Sequence, residues 1–173
     1  AISGCVAQQE GQTLLSRYKD VDLVFGPDAV PNVQQLVKAS QKTQVLDTDF
    51  LASADYVFAA EIDPDAERQV GGFVTIQKGC DNKCTFCIVP TTRGQEVSRS
   101  SSEIVREVRE LVSKGVKEIT LIGQNVNSYG LKVPGEKTFA ELLYAVADVS
   151  GVERIRYTTS HPRDMTEDLI NVY

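Results

Sequence analysis

From Phe73 to Thr159 the chain alternates β-branched runs with amphipathic helical stretches, and this alternation restricts it to a parallel α/β layout. Phe73-Val74-Thr75-Ile76-Gln77 reads as a strand. Ser100-Ser101-Ser102-Glu103 reads as a capping box, in which a side-chain oxygen and a carboxylate satisfy the unpaired amides of a helix start. Ile104, Val105, Val108, Leu111 and Val112 then fall on one helical face, and Gly115 supplies the stop. Glu118 to Gly123 is a second strand. Thr138-Phe139-Ala140-Glu141 is a second capping box, opening a helix with Leu142, Leu143, Val146 and Val149 inward and Gly151 at its end. Arg154 to Thr159 is a third strand. The polar clusters all lie just after a strand, and parallel α/β barrels build their sites at that C-terminal rim.

The first forty-odd residues carry a smaller version of the same order. Ala1 to Val6 reads as the tail of a strand running into a Gly-Cys turn, and Gln8 to Tyr18 as a helix with Leu14, Leu15 and Tyr18 on one face. Val21 to Gly26 is a buried-strand signal closed by Gly26-Pro27. Val33 to Ala39 is a short helix with Val33, Leu36 and Val37 inward. The stretch that follows, with Asp47, Asp49, Asp55, Glu61, Asp63, Asp65 and Glu67, has no clear period and reads as an acidic interdomain connection with room for one strand or turn inside it. The expected division is therefore 1–43, an acidic connection over 44–65, and 66–173.

The chain has 173 residues, of which 42% are hydrophobic and 24% charged, ordinary proportions for a globular protein. No apolar stretch approaches the roughly 18 residues of a membrane span, and the first residues lack the pattern of a signal peptide. The net charge of −6 argues against a strong nucleic-acid binder acting through this segment alone, because such domains carry a basic face. The chain does not begin with Met and closes in the middle of an α/β pattern, so an internal piece of a longer polypeptide is expected.

Three of the four cysteines lie in Cys80-Asp81-Asn82-Lys83-Cys84-Thr85-Phe86-Cys87, the spacing C-x3-C-x2-C. Three thiolates in one loop can hold a metal centre but cannot complete a four-ligand protein site. A zinc site would need a fourth ligand from His161 or Cys5, both distant in sequence. A disulfide with a spare thiol fits poorly with a reduced compartment. An iron–sulfur cluster held by three thiolates keeps one iron open for a substrate or cofactor.

With Phe86 just before the last cysteine, this loop resembles the radical S-adenosylmethionine (SAM) superfamily. Gly79 to Gly94, continuing through Glu96-Val97-Ser98-Arg99, resembles its methylthiotransferase branch. Gly123-Gln124-Asn125-Val126-Asn127-Ser128-Tyr129-Gly130 and Arg156-Tyr157-Thr158-Thr159-Ser160-His161-Pro162 resemble the tRNA-modifying members of that branch. The resemblance implies an α/β chain in which residues 1–43 are the C-terminal part of an N-terminal methylthiotransferase domain. Residues 66–173 would then be the first strands and helices of a radical SAM partial (β/α) barrel.

It implies a [4Fe-4S] cluster on Cys80, Cys84 and Cys87 whose open iron is chelated by SAM, with reductive cleavage giving a 5′-deoxyadenosyl radical. It also implies a second, auxiliary [4Fe-4S] cluster to which Cys5 contributes, its other two ligands lying upstream. The implied reaction adds a methylthio group to prenylated adenosine at position thirty-seven of tRNA, beside the anticodon. An aromatic C–H has no acidic proton, so cofactors rather than acid–base side chains carry such chemistry. A second SAM supplies the methyl group, and a reductant such as flavodoxin or ferredoxin the electron. The implied setting is cytoplasmic, away from membranes, with a monomer when full length. RNA binding is expected to need a further C-terminal domain, leaving this segment alone inactive. A sister enzyme that modifies an aspartate of a ribosomal protein, and a non-catalytic zinc module, are the competing readings.

The remaining residues have bland alternatives. Cys5 alone would be a small buried hydrophobe. Gly123-Gln124-Asn125 could be a tight polar turn, whereas the resemblance makes Phe86, Gly123, Gln124, Asn125 and Ser160 contacts to SAM, Gln124 and Asn125 donating hydrogen bonds. His161 could be a simple loop residue, or a substrate contact. Arg93 and Arg99 would ordinarily be solvated, and beside an anionic substrate could grip phosphate by forked hydrogen bonds.

Overall fold

The computed structural model describes residues 1–52, 56–58 and 70–172. They form two compact units, residues 1–57 with 80–95, and residues 58–79 with 96–173. The expected connection over 44–65 falls partly outside the described residues.

In the first unit a parallel sheet of order β1-β2-β3 is built from β1 (Ile2–Ser3), β2 (Leu23–Phe25) and β3 (Val45–Asp47). The central strand is buried on both faces, Val24 packing with Ala7 and Leu15, and Leu23 and Phe25 with Ala29, Val33 and Leu36. The helix expected over Gln8 to Tyr18 is two, α1 (Cys5–Glu10) and α2 (Gln12–Arg17). They meet at Gly11, whose φ of 38° lies where side chains are disfavoured. A 3₁₀ turn over Pro27–Asn32 leads into α3 (Val33–Ser40). Val37, expected inward, is exposed. The acidic stretch contains β3, a strand too short to show a period. Between the second unit's strands, residues 80–95 return to this first unit and end in α4 (Val89–Arg93), which packs against α1.

The second unit is a three-stranded parallel sheet of order β4-β7-β8, with β4 at Gly71–Thr75, β7 at Glu118–Ile122 and β8 at Arg154–Tyr157. Between β4 and β7 lie β5 (Gln77–Lys78), β6 (Val97–Ser98) and α5 (Ser101–Ser113). The strand expected over Phe73 to Gln77 is thus divided. Ile76 still donates to the Ile122 carbonyl in the parallel ladder, but its own carbonyl accepts from Arg99, and β5 pairs antiparallel with β6. Helix α6 (Phe139–Ala147) connects β7 to β8, and α7 (Glu167–Ile170) follows β8. Val74, Ile76, Ile119 and Leu121 from the strands pack with Ile104, Val108, Leu111, Leu142, Leu143 and Val146 from the helices. Phe139 meets Tyr157 edge to face with ring centroids 5.1 Å apart.

The capping box at α6 is present. Glu141 N–H donates to Thr138 Oγ1 at 3.3 Å, and Thr138 N–H to Glu141 Oε2 at 2.7 Å. The one expected at Ser100 is not. Ser100 makes no cap bond, the Glu103 carboxylate turns to Arg99 (3.9 Å) and Arg106 (3.8 Å), and Ser101 N–H is taken instead by Glu136 Oε2 at 3.2 Å. Opposite charge outcompetes a neutral amide for that carboxylate. At the other end of α5 the expected glycine stop holds. Gly115, at φ 95°, donates to Val112 O and Val116 to Leu111 O, the paired bonds of a Schellman motif.

Two positions test this account. Gly130 and Gly135 both have positive φ, but a Cβ on Gly130 would stand 1.9 Å from the backbone oxygen of Lys137, whereas one on Gly135 meets open space. Gly135→Ala should cost about 1 kcal/mol, the backbone term alone, and Gly130→Ala more than about 3 kcal/mol, as read by urea denaturation. Arg99 and Glu107 form an ion pair, both side chains about 95% removed from solvent. Glu107→Ala should therefore destabilise by roughly 3–5 kcal/mol, because it strands a buried guanidinium.

Candidate active site

Parallel pairing brings the C-terminal ends of β4, β7 and β8 to one edge of the second unit's sheet. Three segments leave that edge. The first is β5, whose buried Gln77 donates to Gly79 O and Ser128 Oγ, each at 3.4 Å. The second is the turn Gly123 to Ser128. The third is Thr158 to Asp164.

Gly123 sits where a Cβ would come within 3.2 Å of Gln77 Cβ and 3.3 Å of Val126 Cγ1, so a side chain there would press on β5 and the turn by a few tenths of an ångström. Gln124 Oε1 accepts from Gly79 N–H at 2.6 Å, fixing the peptide directly ahead of Cys80. Asn125 is buried, and its carboxamide joins two loops. Nδ2 donates to Ser128 Oγ (3.1 Å) and Asp164 Oδ2 (2.6 Å), while Oδ1 accepts from His161 N–H (3.1 Å). Both N–H groups of this amide are thus engaged inside the protein, where they tie the β7 turn to the segment after β8.

Thr159 carries the chain past β8 with φ 65°, the one non-glycine residue in the left-handed region among the described residues. Its hydroxyl bonds to Gly123 O, and Val126 N–H donates to Thr159 O at 3.0 Å. Strained backbone held by such bonds clusters at functional sites. Ser160 is exposed, and His161 is half-buried with Nδ1 accepting from Arg163 N–H at 3.2 Å.

Arg99 is not where a phosphate grip would need it. Only 5% exposed, it pairs with Glu107, donates to Thr75 O at 3.3 Å and lies 5.9 Å from the Phe58 ring centroid. Buried Tyr129 donates to its carbonyl at 2.6 Å, and burial raises the phenol's pKa so that it stays protonated. Arg99 is a core cation, a correction to its expected exposure.

In the first unit the cysteine loop is closed by Cys80 N–H donating to Gly94 O at 3.2 Å and Cys87 N–H to Cys84 O at 3.1 Å. Cys80 is 8% exposed, Cys84 and Cys87 are half-buried, and Phe86 is 91% exposed. Gly94 turns at φ 73° beneath the Phe50 ring, which a Cβ would meet at 3.1 Å. Arg93 is half-buried. Burial and the Asp28 carboxylate push the Tyr56 phenol's pKa up, and the Arg93 charge offsets part of that rise. Cys5 opens α1, half-buried.

None of the four cysteines is in a disulfide. Among the described residues no three Cys, His, Asp or Glu side chains converge as ligands of one ion. A polynuclear iron–sulfur cluster takes each thiolate on a different iron, and three unbridged thiols on one closed loop are a donor set of that kind. The residues that spacing did not find are Gln77, Glu96, Ser128, Thr159 and Asp164. Glu96, Ser128 and Thr159 lie inside the motifs that carry the resemblance, but their partners are distant in sequence and no local pattern assigns them a role.

The model of the radical SAM superfamily matches residues 74–173. The chain is 52% identical over 174 residues to the tRNA-2-methylthio-N(6)-dimethylallyladenosine synthase of Anaeromyxobacter sp. (strain Fw109-5), covering 100% of this chain and 37% of that protein. It is 48% identical over 172 residues to the enzyme of the same name from Trichlorobacter lovleyi, covering 98% of this chain and 39% of that protein. To the one from Myxococcus xanthus (strain DK1622) it is 47% identical over 175 residues, covering 99% and 37%. The chain thus spans a little over a third of the length of these curated relatives. With the family match extending from β4 to the end of the chain, this polypeptide belongs to the radical SAM superfamily.

Proposed function

We propose that this chain is part of a radical SAM methylthiotransferase that adds a methylthio group to prenylated adenosine in tRNA. The observation that carries this reading is identity near one half, over essentially the whole chain, to enzymes named for that product. The unbridged thiols of Cys80, Cys84 and Cys87 support it, since they are the donor set such chemistry requires.

In this reading residues 1–43 are the C-terminal part of a methylthiotransferase domain and 66–173 the first part of a partial (β/α) barrel. Cys80, Cys84 and Cys87 hold the [4Fe-4S] cluster, and Cys5 is one ligand of a second. When bound, cluster and SAM supply a carbon radical able to remove hydrogen from an unactivated C–H bond.

The protein's own residues bind and orient. Gly123 keeps its turn free of a side chain, Gln124 has an N–H pair left to donate because its oxygen is taken by Gly79, and Asn125 holds the turn to the β8 loop. Phe86 offers an exposed aromatic face, and exposed Ser160 and half-buried His161 an edge beyond β8. Arg93 is the cation adjoining the cysteine loop suited to an anionic substrate. A small electron donor such as flavodoxin or ferredoxin, a cytoplasmic setting and a monomeric full-length protein complete the reading. Among the described residues no helix is long and apolar enough to cross a membrane.

Anaerobic reconstitution tests the cofactor. The full-length protein should take up iron and sulfide and, once reduced, convert SAM to 5′-deoxyadenosine. Cys84→Ala should lower that rate by at least about a hundredfold. Zinc without iron or sulfide would overturn the radical reading. Mass spectrometry of tRNA and ribosomal protein from a strain lacking the gene tests the substrate. Prenylated adenosine should lose its methylthio mass, whereas an unmodified ribosomal aspartate with intact tRNA would assign the activity to the sister enzyme.

A further inference from the structure

The second unit contains a polar junction that the sequence patterns did not anticipate. Ser128 Oγ lies 2.6 Å from the buried Glu96 Oε2, 3.1 Å from Asn125 Nδ2 and 3.4 Å from Gln77 Nε2. A hydroxyl has one proton and two acceptor lone pairs. The carboxylate of Glu96 is the acceptor that draws the proton, being charged and closer than the Asn125 carbonyl at 2.9 Å. That leaves the Ser128 lone pairs for the two amides. Asn125 is then oriented on three sides, Nδ2 toward Ser128 and Asp164 and Oδ1 toward His161 N–H. Turned over, its oxygen would face the Asp164 carboxylate and its NH₂ would face the His161 N–H.

The segments pinned at Ser128 are the ones that frame the strand ends. Glu96 immediately precedes β6, Gln77 lies in β5 two residues before Gly79, and Asn125 ties the β7 turn to the β8 loop. The Lys132 ammonium, 3.7 Å from Glu96 Oε2, offsets part of the cost of burying that carboxylate. Elsewhere in the described residues a buried carboxylate pairs with a core arginine, as Glu107 does with Arg99. Glu96 instead faces a hydroxyl that serves two amides.

We propose that Glu96 and Ser128 are positioning residues for the SAM site, holding the carboxamide of Asn125, and with it the β7 and β8 loops, in the arrangement that receives the cofactor. This rests on the reading that the turn from Gly123 to Asn125 contacts SAM. The test uses the anaerobically purified, cluster-loaded protein, titrating SAM against the electron paramagnetic resonance signal of the reduced cluster, with thermal unfolding measured in parallel. Glu96→Ala and Ser128→Ala should each raise the SAM concentration for half-maximal signal change by about tenfold or more. Glu96→Gln, whose amide oxygen can still accept from Ser128, should stay within about threefold of the parent.

Glu107→Ala is the control. It should lower the unfolding temperature and leave the SAM titration unmoved. Should Ser128→Ala fail to accumulate as folded protein, Glu96→Ala breaks the same contact from another segment. If Glu96→Ala and Ser128→Ala unfold at lower temperature yet titrate like the parent, the junction is only structural and the proposal is overturned. If SAM leaves the parent's signal unchanged, the reading beneath it falls as well.

Discussion

Parallel pairing of β4, β7 and β8 is the constraint from which the rest of the second unit follows. It sends three chain segments out of the same edge of the sheet, and each leaves with backbone groups that the ladder no longer satisfies. Buried polar groups of this kind must find partners. Here they find them in one another. Gly79 N–H meets Gln124, His161 N–H meets Asn125, and Val126 N–H meets the Thr159 carbonyl. The turn at Gly123 lies close on β5 for these bonds to form, and a Cβ there would crowd Gln77 and Val126 at 3.2 and 3.3 Å. The left-handed Thr159 is the matching strain on the β8 side, held by its hydroxyl on the Gly123 carbonyl. A polar edge assembled in this way is stiff before any ligand arrives, which is the state a site needs if it is to orient a cofactor rather than follow it.

The same unit separates two uses of buried charge. Arg99 and Glu107 pair beneath α5, with Thr75 O, the Phe58 ring and the more distant Glu103 carboxylate also facing the guanidinium. Such a pair is costly to break and of modest net benefit when intact, so its value lies in fixing where the chain after β6 enters α5. Tyr129, buried and protonated, closes that arrangement through the Arg99 carbonyl. The carboxylate of Glu96, by contrast, is turned toward the strand-end loops. One acid stabilises the packing of a helix, and the other organises an edge.

Much of this was legible in the sequence where a period could be read. The helical faces of Ile104 to Leu111 and Leu142 to Val146 are long enough to show their spacing, and they line the core. The Thr138 box is real because Glu141 has no stronger partner in reach, whereas the Ser100 box fails because Glu103 lies between two arginines. The β5–β6 ribbon is two residues a side and carries no readable alternation. The break at Gly11 was visible as a glycine but not as a break, because Leu14 and Leu15 continue an apolar face beyond it. The cysteine loop announced itself by spacing. The long-range bonds that organise the strand ends join residues 32 to 51 positions apart, and spacing within a window cannot see them.

That contrast bears on what a cluster-binding loop and a cofactor-binding edge each have to do. A metal cluster imposes its own geometry on the thiolates that hold it, so a short loop with three correctly spaced cysteines is specified almost wholly by local sequence. An organic cofactor imposes much less. Its carboxylate, amine and hydroxyl groups must be met by protein groups already in place, and these come from the ends of different strands. The first task can be encoded in eight consecutive residues, Cys80 to Cys87. The second needs Gln77, Gln124, Asn125, Ser128 and the β8 loop to agree in three dimensions. A buried carboxylate that draws the Ser128 proton and leaves its lone pairs to two amides is a physical means by which they can agree.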